Sequence, residues 1–112
     1  MALSIERDGE TLVAKAEGRL DGTNAQEFQG ELTAAIDETD RAVILDLEHL
    51  SYISSAGLRV ILLTAKALQR TNAELVVCSL SDPIREVFAI SGFDKIIKVR
   101  DSQAEAIAAL RG

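Results

Sequence analysis

The residues best placed to do chemistry in this chain are two adjacent serines, Ser54 and Ser55, in the segment YISSAGLRVILL. A serine nucleophile needs a base within reach and a third group that orients the base. The one histidine of the sequence, His49, lies six residues before Ser55, and the glycine that begins a G-x-S-x-G nucleophile elbow is missing. We therefore expect no catalytic residue here and no enzyme activity.

Three other roles remain open for these serines. One of them caps the helix that the apolar run after Gly57 predicts, because a serine oxygen accepts a hydrogen bond from a free backbone N–H. Alternatively, the N–H groups of Ala56 and Gly57 hold an anion such as a nucleotide phosphate. Finally, a serine is phosphorylated by another enzyme, which places about −1.5 to −2 charges at the positive end of the helix dipole.

The predicted helix, from about residue 56 to residue 70, carries two apolar strips. One strip should face a sheet, and it consists of Leu58, Ile61, Leu62, Ala65 and Leu68. The second strip consists of Val60, Leu63 and Ala67, with Arg59, Lys66 and Arg70 beside it. A helix with two apolar faces is either enclosed by its own fold or part of an interface.

Alternating strand and helix patterns surround this stretch. Two strands, LSIERDG and TLVAKAEGRL, should be joined by a turn at Asp8-Gly9, and further strands are predicted in RAVILDLEHL, AELVVCSL and KIIKV. Because strand–helix–strand units demand parallel pairing, we expect an α/β fold with a largely parallel sheet. The serines should lie at the carboxyl-end edge of that sheet, which is the usual functional edge.

Capping residues mark the ends of the other predicted helices. Thr23 or Asn24 should begin the first helix, which follows DGTNAQEF. Pro83 should stand at the start of a helix that ends at Gly92, and Gly112 should follow the last helix.

Composition excludes several classes of partner and cofactor. The chain has 112 residues and a net charge of −6, which argues against binding to nucleic acid or to an anionic membrane. Its one cysteine, Cys78, ends an apolar run and should be a small buried residue. With one histidine and one cysteine, we expect no metal site and no cofactor. Neither a signal peptide nor a transmembrane run is recognisable, so we expect a cytoplasmic protein without membrane insertion.

Three segments together resemble the STAS domain, and more narrowly the single-domain bacterial anti-sigma-factor antagonists: GRLD at 18–21, VILDLEHLSYISSAGLRVILL at 43–63 and ELVVCSLSDPIREVFAISGFDKIIKV at 74–99. The resemblance covers nearly the whole chain and implies a single STAS domain over residues 1–112. It implies a mixed, largely parallel sheet of four to five strands covered by about four helices.

The resemblance also implies a function. Proteins of this kind bind an anti-sigma factor that is a serine kinase, and binding frees the sigma factor. The kinase phosphorylates a serine at the start of the second helix, and the phosphorylated form lets go. A metal-dependent serine phosphatase restores the active form, and the family suggests a monomer or weak dimer.

The family motif reads Asp-Ser-Ser-Gly, with the phosphate on the first serine. On this chain Ser54 takes the place of the aspartate, Ser55 is the acceptor, Ala56 replaces the second serine and Gly57 is the glycine. Asp21 matches a family aspartate in the loop after the second strand, where it either contacts the partner or caps the first helix.

The predicted site therefore has one phosphorylated residue, Ser55, and a surface that binds the anti-sigma factor. The residues assigned to this partner-binding surface are Asp21, Ser54, Ser55, Ala56, Gly57, Arg59, Val60, Leu63 and Ala67. Two alternatives from the same resemblance are a STAS subunit that acts by binding alone, in a signalling scaffold or lipid-transport complex, and a nucleotide-binding STAS module.

Overall fold

A six-stranded sheet and four α-helices make up the fold across residues 2–111, the part of the chain that this computed structural model describes. Arg111 is described by its backbone alone, and the predicted position of Gly112 lies outside the described residues. The strands are β1 Ala2–Asp8, β2 Thr11–Leu20, β3 Ala42–Asp46, β4 Leu50–Ile53, β5 Glu74–Cys78 and β6 Lys98–Arg100. The helices are α1 Ala25–Ala35, α2 Ser55–Gln69, α3 Asp82–Ser91 and α4 Gln103–Arg111.

Five strands lie in the order β1-β2-β3-β5-β6, and β4 pairs with β2 beyond the end of the β2–β3 ladder. β1 is antiparallel to β2, and every other pairing is parallel. The predicted class, a mixed and largely parallel α/β sheet with four helices, is confirmed. The expected number of four to five strands is wrong, because the sheet has six. The additional strand is β4: the chain leaves the β2–β3 ladder after Asp46 and returns at Leu50 to pair with Gly18.

The first turn and the last strand differ in their bounds from the prediction. The first turn consists of Gly9 and Glu10 and not Asp8-Gly9, since Asp8 still pairs with Thr11. Gly9 has φ 64°, a conformation in which a Cβ atom would be strained. The last strand covers Lys98–Arg100 and not KIIKV, because Phe93–Lys95 form a 3₁₀ turn.

Helices α1, α2 and α3 cover one face of the sheet and α4 covers the other. The larger core joins strand residues such as Leu12 and Leu45 to Phe28 of α1, Ile61 of α2 and Phe88 of α3. The smaller core under α4 consists of Val13, Ile44, Val76, Cys78 and Ala106. Successive strand residues alternate between the two cores, as the pleat of a strand requires.

The predicted ends of α3 are confirmed, as is the burial of Cys78. Pro83 stands in the first turn of α3, and Gly92 ends the helix in the left-handed region with φ 76°. Cys78 is fully buried, and this burial raises the pKa of its thiol to about 11. Among the helices between residues 2 and 111, none is long and apolar enough to cross a membrane.

Candidate functional site

Ser54 joins β4 to α2, and its hydroxyl oxygen, its N–H and its carbonyl each form a hydrogen bond. Its Oγ accepts a hydrogen bond from the N–H of Gly57 at 3.3 Å, so the predicted serine cap of this helix is Ser54. Its own N–H donates to the carbonyl of Leu20 on β2, and its carbonyl accepts from the N–H of Leu58. Ser54 is therefore a structural residue that holds the start of α2 against the end of β2.

Ser55 is the first residue of α2, is exposed, and has a hydroxyl without a hydrogen-bond partner among the described residues. The first turn of α2 contains no acidic residue. His49 is exposed, and its Nε2 lies 3.7 Å from a carboxylate oxygen of Glu48. The hydrogen bonds of the described residues include none between His49 and either serine. The Ser55 hydroxyl is thus accessible to an enzyme from outside.

Gly57 allows α2 to approach β2 and β4 closely. A Cβ atom at this position would lie 2.7 Å from Cγ of Leu20 and 2.9 Å from Cγ1 of Ile53, which is closer than real side chains come. Gly57 lies on the buried face of α2, whereas Ser55 is exposed. Its assignment to an exposed partner-binding surface needs correction: in this structure it positions α2 and offers no exposed surface.

Asp21 follows β2 and lies beside Ser54, because the preceding residues Leu20 and Ile53 are register partners. Its Oδ1 accepts hydrogen bonds from the hydroxyl and the N–H of Thr23, and these bonds hold the pKa of Asp21 below its ordinary value. The carbonyl of Asp21 accepts from the N–H of Ala25, the first residue of α1. Asp21 therefore builds the turn that begins α1 at the edge where Ser55 lies.

Asn24 occupies the N-cap position of α1, but its side chain does not cap the helix. Its amide donates to the carbonyl of Arg19 at 2.8 Å, and its oxygen accepts from the N–H of Asp21 at 3.0 Å. The expectation of a side-chain cap from Thr23 or Asn24 is therefore wrong, because both side chains bond to Asp21 and that of Asn24 also bonds to Arg19.

Arg19 and Tyr52, two residues outside the predicted site, contact each other near the ends of β2 and β4. The guanidinium carbon of Arg19 lies 4.3 Å from the centre of the Tyr52 ring, and Nε lies 4.0 Å from Oδ2 of Asp21. The two residues are register partners on β2 and β4. Recognising β4 as a strand beside β2 would have identified the pair.

The outer face of α2 is narrower than the helical projection indicated. Val60 is 5% exposed and belongs to the main core, so its placement on the outer strip is wrong. The buried strip is rotated toward Val60 and Thr64, and Leu62 is left half-buried. Arg59, Leu63 and Ala67 are exposed as predicted, with 41% of Leu63 accessible.

The exposed part of the second apolar strip forms one wall of a groove between α1 and α2. The groove encloses about 270 Å³, and Leu63 and Ala67 face Gln29, Thr33 and Ile36 across it. Its floor includes Leu68 of the core. The fold therefore does not enclose α2 completely, because part of the second apolar strip, Leu63 and Ala67, remains exposed.

Comparison with known proteins gives one family. The model of the STAS domain family matches residues 2–106. BtrV of Bordetella bronchiseptica, named as a proposed anti-sigma factor antagonist, is 45% identical over 99% of this chain and 96% of its own length. The anti-sigma-B factor antagonist of Staphylococcus aureus is 32% identical over 78% of this chain and 81% of its own length.

Solved structures show the same fold. The anti-sigma factor antagonist SpoIIAA in its unphosphorylated form superimposes with a TM-score of 0.80 at 24% identity, covering 99% of this chain and 97% of SpoIIAA. SpoIIAA of Bacillus in the phosphorylated form gives a TM-score of 0.70 at 23% identity, covering 97% and 99%. The relatives are named for antagonism of another protein and not for a reaction that they catalyse.

Proposed function

This chain belongs to the STAS domain family, and we propose that it is a cytoplasmic anti-sigma factor antagonist that works by binding and not by catalysis. It acts as a single domain that binds a serine-kinase anti-sigma factor and thereby releases a sigma factor. Two curated relatives named as antagonists, one of them matching 99% of this chain, support the proposal.

Phosphorylation of Ser55 ends the interaction. The anti-sigma kinase transfers the γ-phosphoryl group of ATP to Oγ of Ser55, ADP leaves, and the hydroxyl proton passes to a base of the kinase. A metal-dependent serine phosphatase later hydrolyses the phosphoserine with water, which returns serine and inorganic phosphate. The observation that carries this proposal is the contrast between the two serines: the Ser54 oxygen caps α2, whereas the Ser55 hydroxyl is exposed and has no hydrogen-bond partner among the residues that the structure describes.

A phosphate on Ser55 should release the partner without unfolding α2. The first turn of a helix favours a negative group, so the added charge is compatible with the folded helix. The same charge lies at one end of the exposed face that carries Arg59, Leu63 and Ala67. Burying about −1.5 to −2 charges against a partner surface costs desolvation and repels any acidic group there.

The first prediction concerns the position of the phosphate. The protein is incubated with the cognate kinase and ATP, and phosphopeptides are mapped by mass spectrometry. We expect one phosphate, on Ser55, and no modification of Ser55→Ala. Ser54→Ala is the matched control, since it removes the neighbouring hydroxyl and leaves the acceptor, and it should still be modified on Ser55. Phosphate on another residue, or a Ser55→Ala variant modified as well as wild type, would contradict the proposal.

A further inference from the structure

Arg59 lies one helical turn after Ser55 on α2. Side chains four residues apart on a helix are neighbours, with Cβ atoms about 5–6 Å apart. Helical side chains lean toward the N-terminus of their helix, so the side chain of Arg59 can reach the turn that begins at Ser55. Both residues are exposed. Their positions bring a long cation and a phosphate acceptor to the same patch of surface.

Arg59 has no ion pair or hydrogen bond from its side chain within residues 2–111. The residues three and four positions away from it on α2 are uncharged: Ser55, Ala56, Leu62 and Leu63. Four other arginines each lie within 4.0 Å of a carboxylate oxygen: Arg7, Arg19, Arg41 and Arg85. The N–H donors of Arg59 are thus available to an added anion such as a phosphate.

We propose that the guanidinium of Arg59 binds the phosphate of phosphorylated Ser55 within the same helix. This inference rests on the proposed phosphorylation of Ser55. The planar guanidinium offers two parallel N–H groups, which match two phosphate oxygens. An acidic group followed by a basic group four residues later is also the favoured order for an ion pair on a helix.

The ion pair gives the switch a second component. Without phosphate, Arg59 is an exposed cation on the proposed partner-binding surface and is available to an acidic group of the anti-sigma factor. With phosphate, the same guanidinium is bound to Ser55. Phosphorylation therefore adds an anion to the surface and also withdraws a cation from it.

Arg19 is the competing cation on the neighbouring strand β2. It is already placed over the Tyr52 ring and near Asp21. Asp21 itself would repel a phosphate and is bonded to Thr23. Because Arg59, unlike Arg19, has no ion pair in the part of the chain that the structure describes, the phosphate should bind Arg59 in preference to Arg19.

The second prediction tests this ion pair with phosphoserine incorporated at position 55 of the full chain during translation, so that no kinase is needed. The phosphate is titrated by ³¹P NMR. A neighbouring cation favours the dianion and lowers the second pKa of the phosphate, so Arg59→Ala should raise that pKa. We expect the acid dissociation constant for the second proton of the phosphate to change about twofold, which corresponds to the free energy of an ion pair on an exposed helix. Arg59→Lys should restore part of the effect.

Lys66→Ala is the matched control, because Lys66 is an exposed cation on the same side of α2 but lies about 16 Å from Ser55 along the helix axis. Its removal should leave the phosphate titration unchanged. An Arg59→Ala titration equal to that of the wild type would overturn the inference, as would an equal shift in Lys66→Ala or a shift confined to Arg19→Ala. These outcomes are separate from the kinase experiment, which alone decides whether Ser55 is the natural acceptor.

Discussion

At the scale of single residues, Ser54 and Ser55 differ in what their hydroxyls already do. The Ser54 oxygen accepts from the N–H of Gly57, whereas the Ser55 hydroxyl is exposed and bonds to no other group in the described part of the chain. Serine and aspartate are equally good N-cap residues. The departure from the family motif at Ser54 therefore keeps the cap and removes a negative charge beside the acceptor.

The third prediction separates the cap from the charge. Ser54→Ala removes the side-chain acceptor and should lower the free energy of unfolding by about 1 kcal/mol, whereas Ser54→Asp keeps an acceptor and should stay within about 0.5 kcal/mol of wild type. Urea denaturation followed by circular dichroism measures both. Ser51→Ala is the control, because it also removes a nearby serine hydroxyl but not a helix cap. The Ser51 hydroxyl is exposed on β4 and donates to the carbonyl of Gly18. Equal stability of Ser54→Ala and wild type would show that the cap contributes nothing.

At the scale of elements, the sequence predicts α2 well because its pattern is local. The apolar spacing after Gly57 identifies a helix, and the observed helix Ser55–Gln69 differs by one residue at each end from the prediction. The direction of its buried face could not be predicted, because it depends on α1 and the sheet. Val60 is buried for this reason, although a projection of α2 alone places it with Leu63.

The strand β4 could not be recognised from the sequence for a similar reason. It has four residues, of which Leu50 and Ile53 are buried while the two between them are exposed, so its pattern is too short to separate from β3. Its existence depends on a partner 32 residues earlier, where Gly18 pairs with Leu50. The Arg19–Tyr52 contact depends on that pairing and was missed with it.

The fourth prediction concerns how α2 is positioned. Gly57→Ala should lower the free energy of unfolding by about 1–3 kcal/mol, because the new methyl group meets Leu20 and Ile53 at less than 3.0 Å. Gly30→Ala on α1 is the matched control, since apart from the adjoining backbone of α1 no described atom lies within 4 Å of its added Cβ. That variant should gain about 0.5–1 kcal/mol from helix propensity.

Thermal or urea unfolding of the two variants gives the comparison directly. If Gly57→Ala were also stabilised, α2 would have room to move away from β2, and Gly57 would not determine its position. The kinase reaction adds a second measurement: a folded Gly57→Ala protein with α2 displaced should present Ser55 less well and be phosphorylated more slowly than Gly30→Ala.

At the scale of the whole molecule, parallel topology explains why distant sequence segments form one site. β2 and β4 run in the same direction and end together at Leu20 and Ile53, so the loops that follow them carry Asp21 and Ser54 to one edge. Sequence alternation of strands and helices is enough to predict that edge. The same order predicts neither the strand register nor the groove between α1 and α2, since both depend on packing.

The opposite end of the sheet is held by a buried carboxylate. The side chain of Asp40 has no exposed surface, and its Oδ1 accepts from Arg7 of β1 while its Oδ2 accepts from the N–H of Asp37 at 2.7 Å. Arg7 also donates to the carbonyl of Ala35, the last residue of α1. One arginine thus ties the edge strand, the end of α1 and the loop before β3 together.

The fifth prediction follows from this arrangement. Arg7→Ala leaves the buried Asp40 carboxylate with one hydrogen-bond donor among the described residues, the N–H of Asp37. It should lower the free energy of unfolding by about 2–3 kcal/mol, less than the loss of a fully buried pair because Arg7 is itself 40% exposed. Arg41→Ala breaks the exposed pair with Glu10, in which both side chains are about 70% accessible, and should change stability by less than about 0.5 kcal/mol. If urea denaturation gave equal losses of unfolding free energy for Arg7→Ala and Arg41→Ala, the burial of Asp40 would add nothing to the strength of its ion pair. Because Arg7 is remote from the β4–α2 junction, the folded fraction of Arg7→Ala should still be phosphorylated on Ser55, which separates stability from switching.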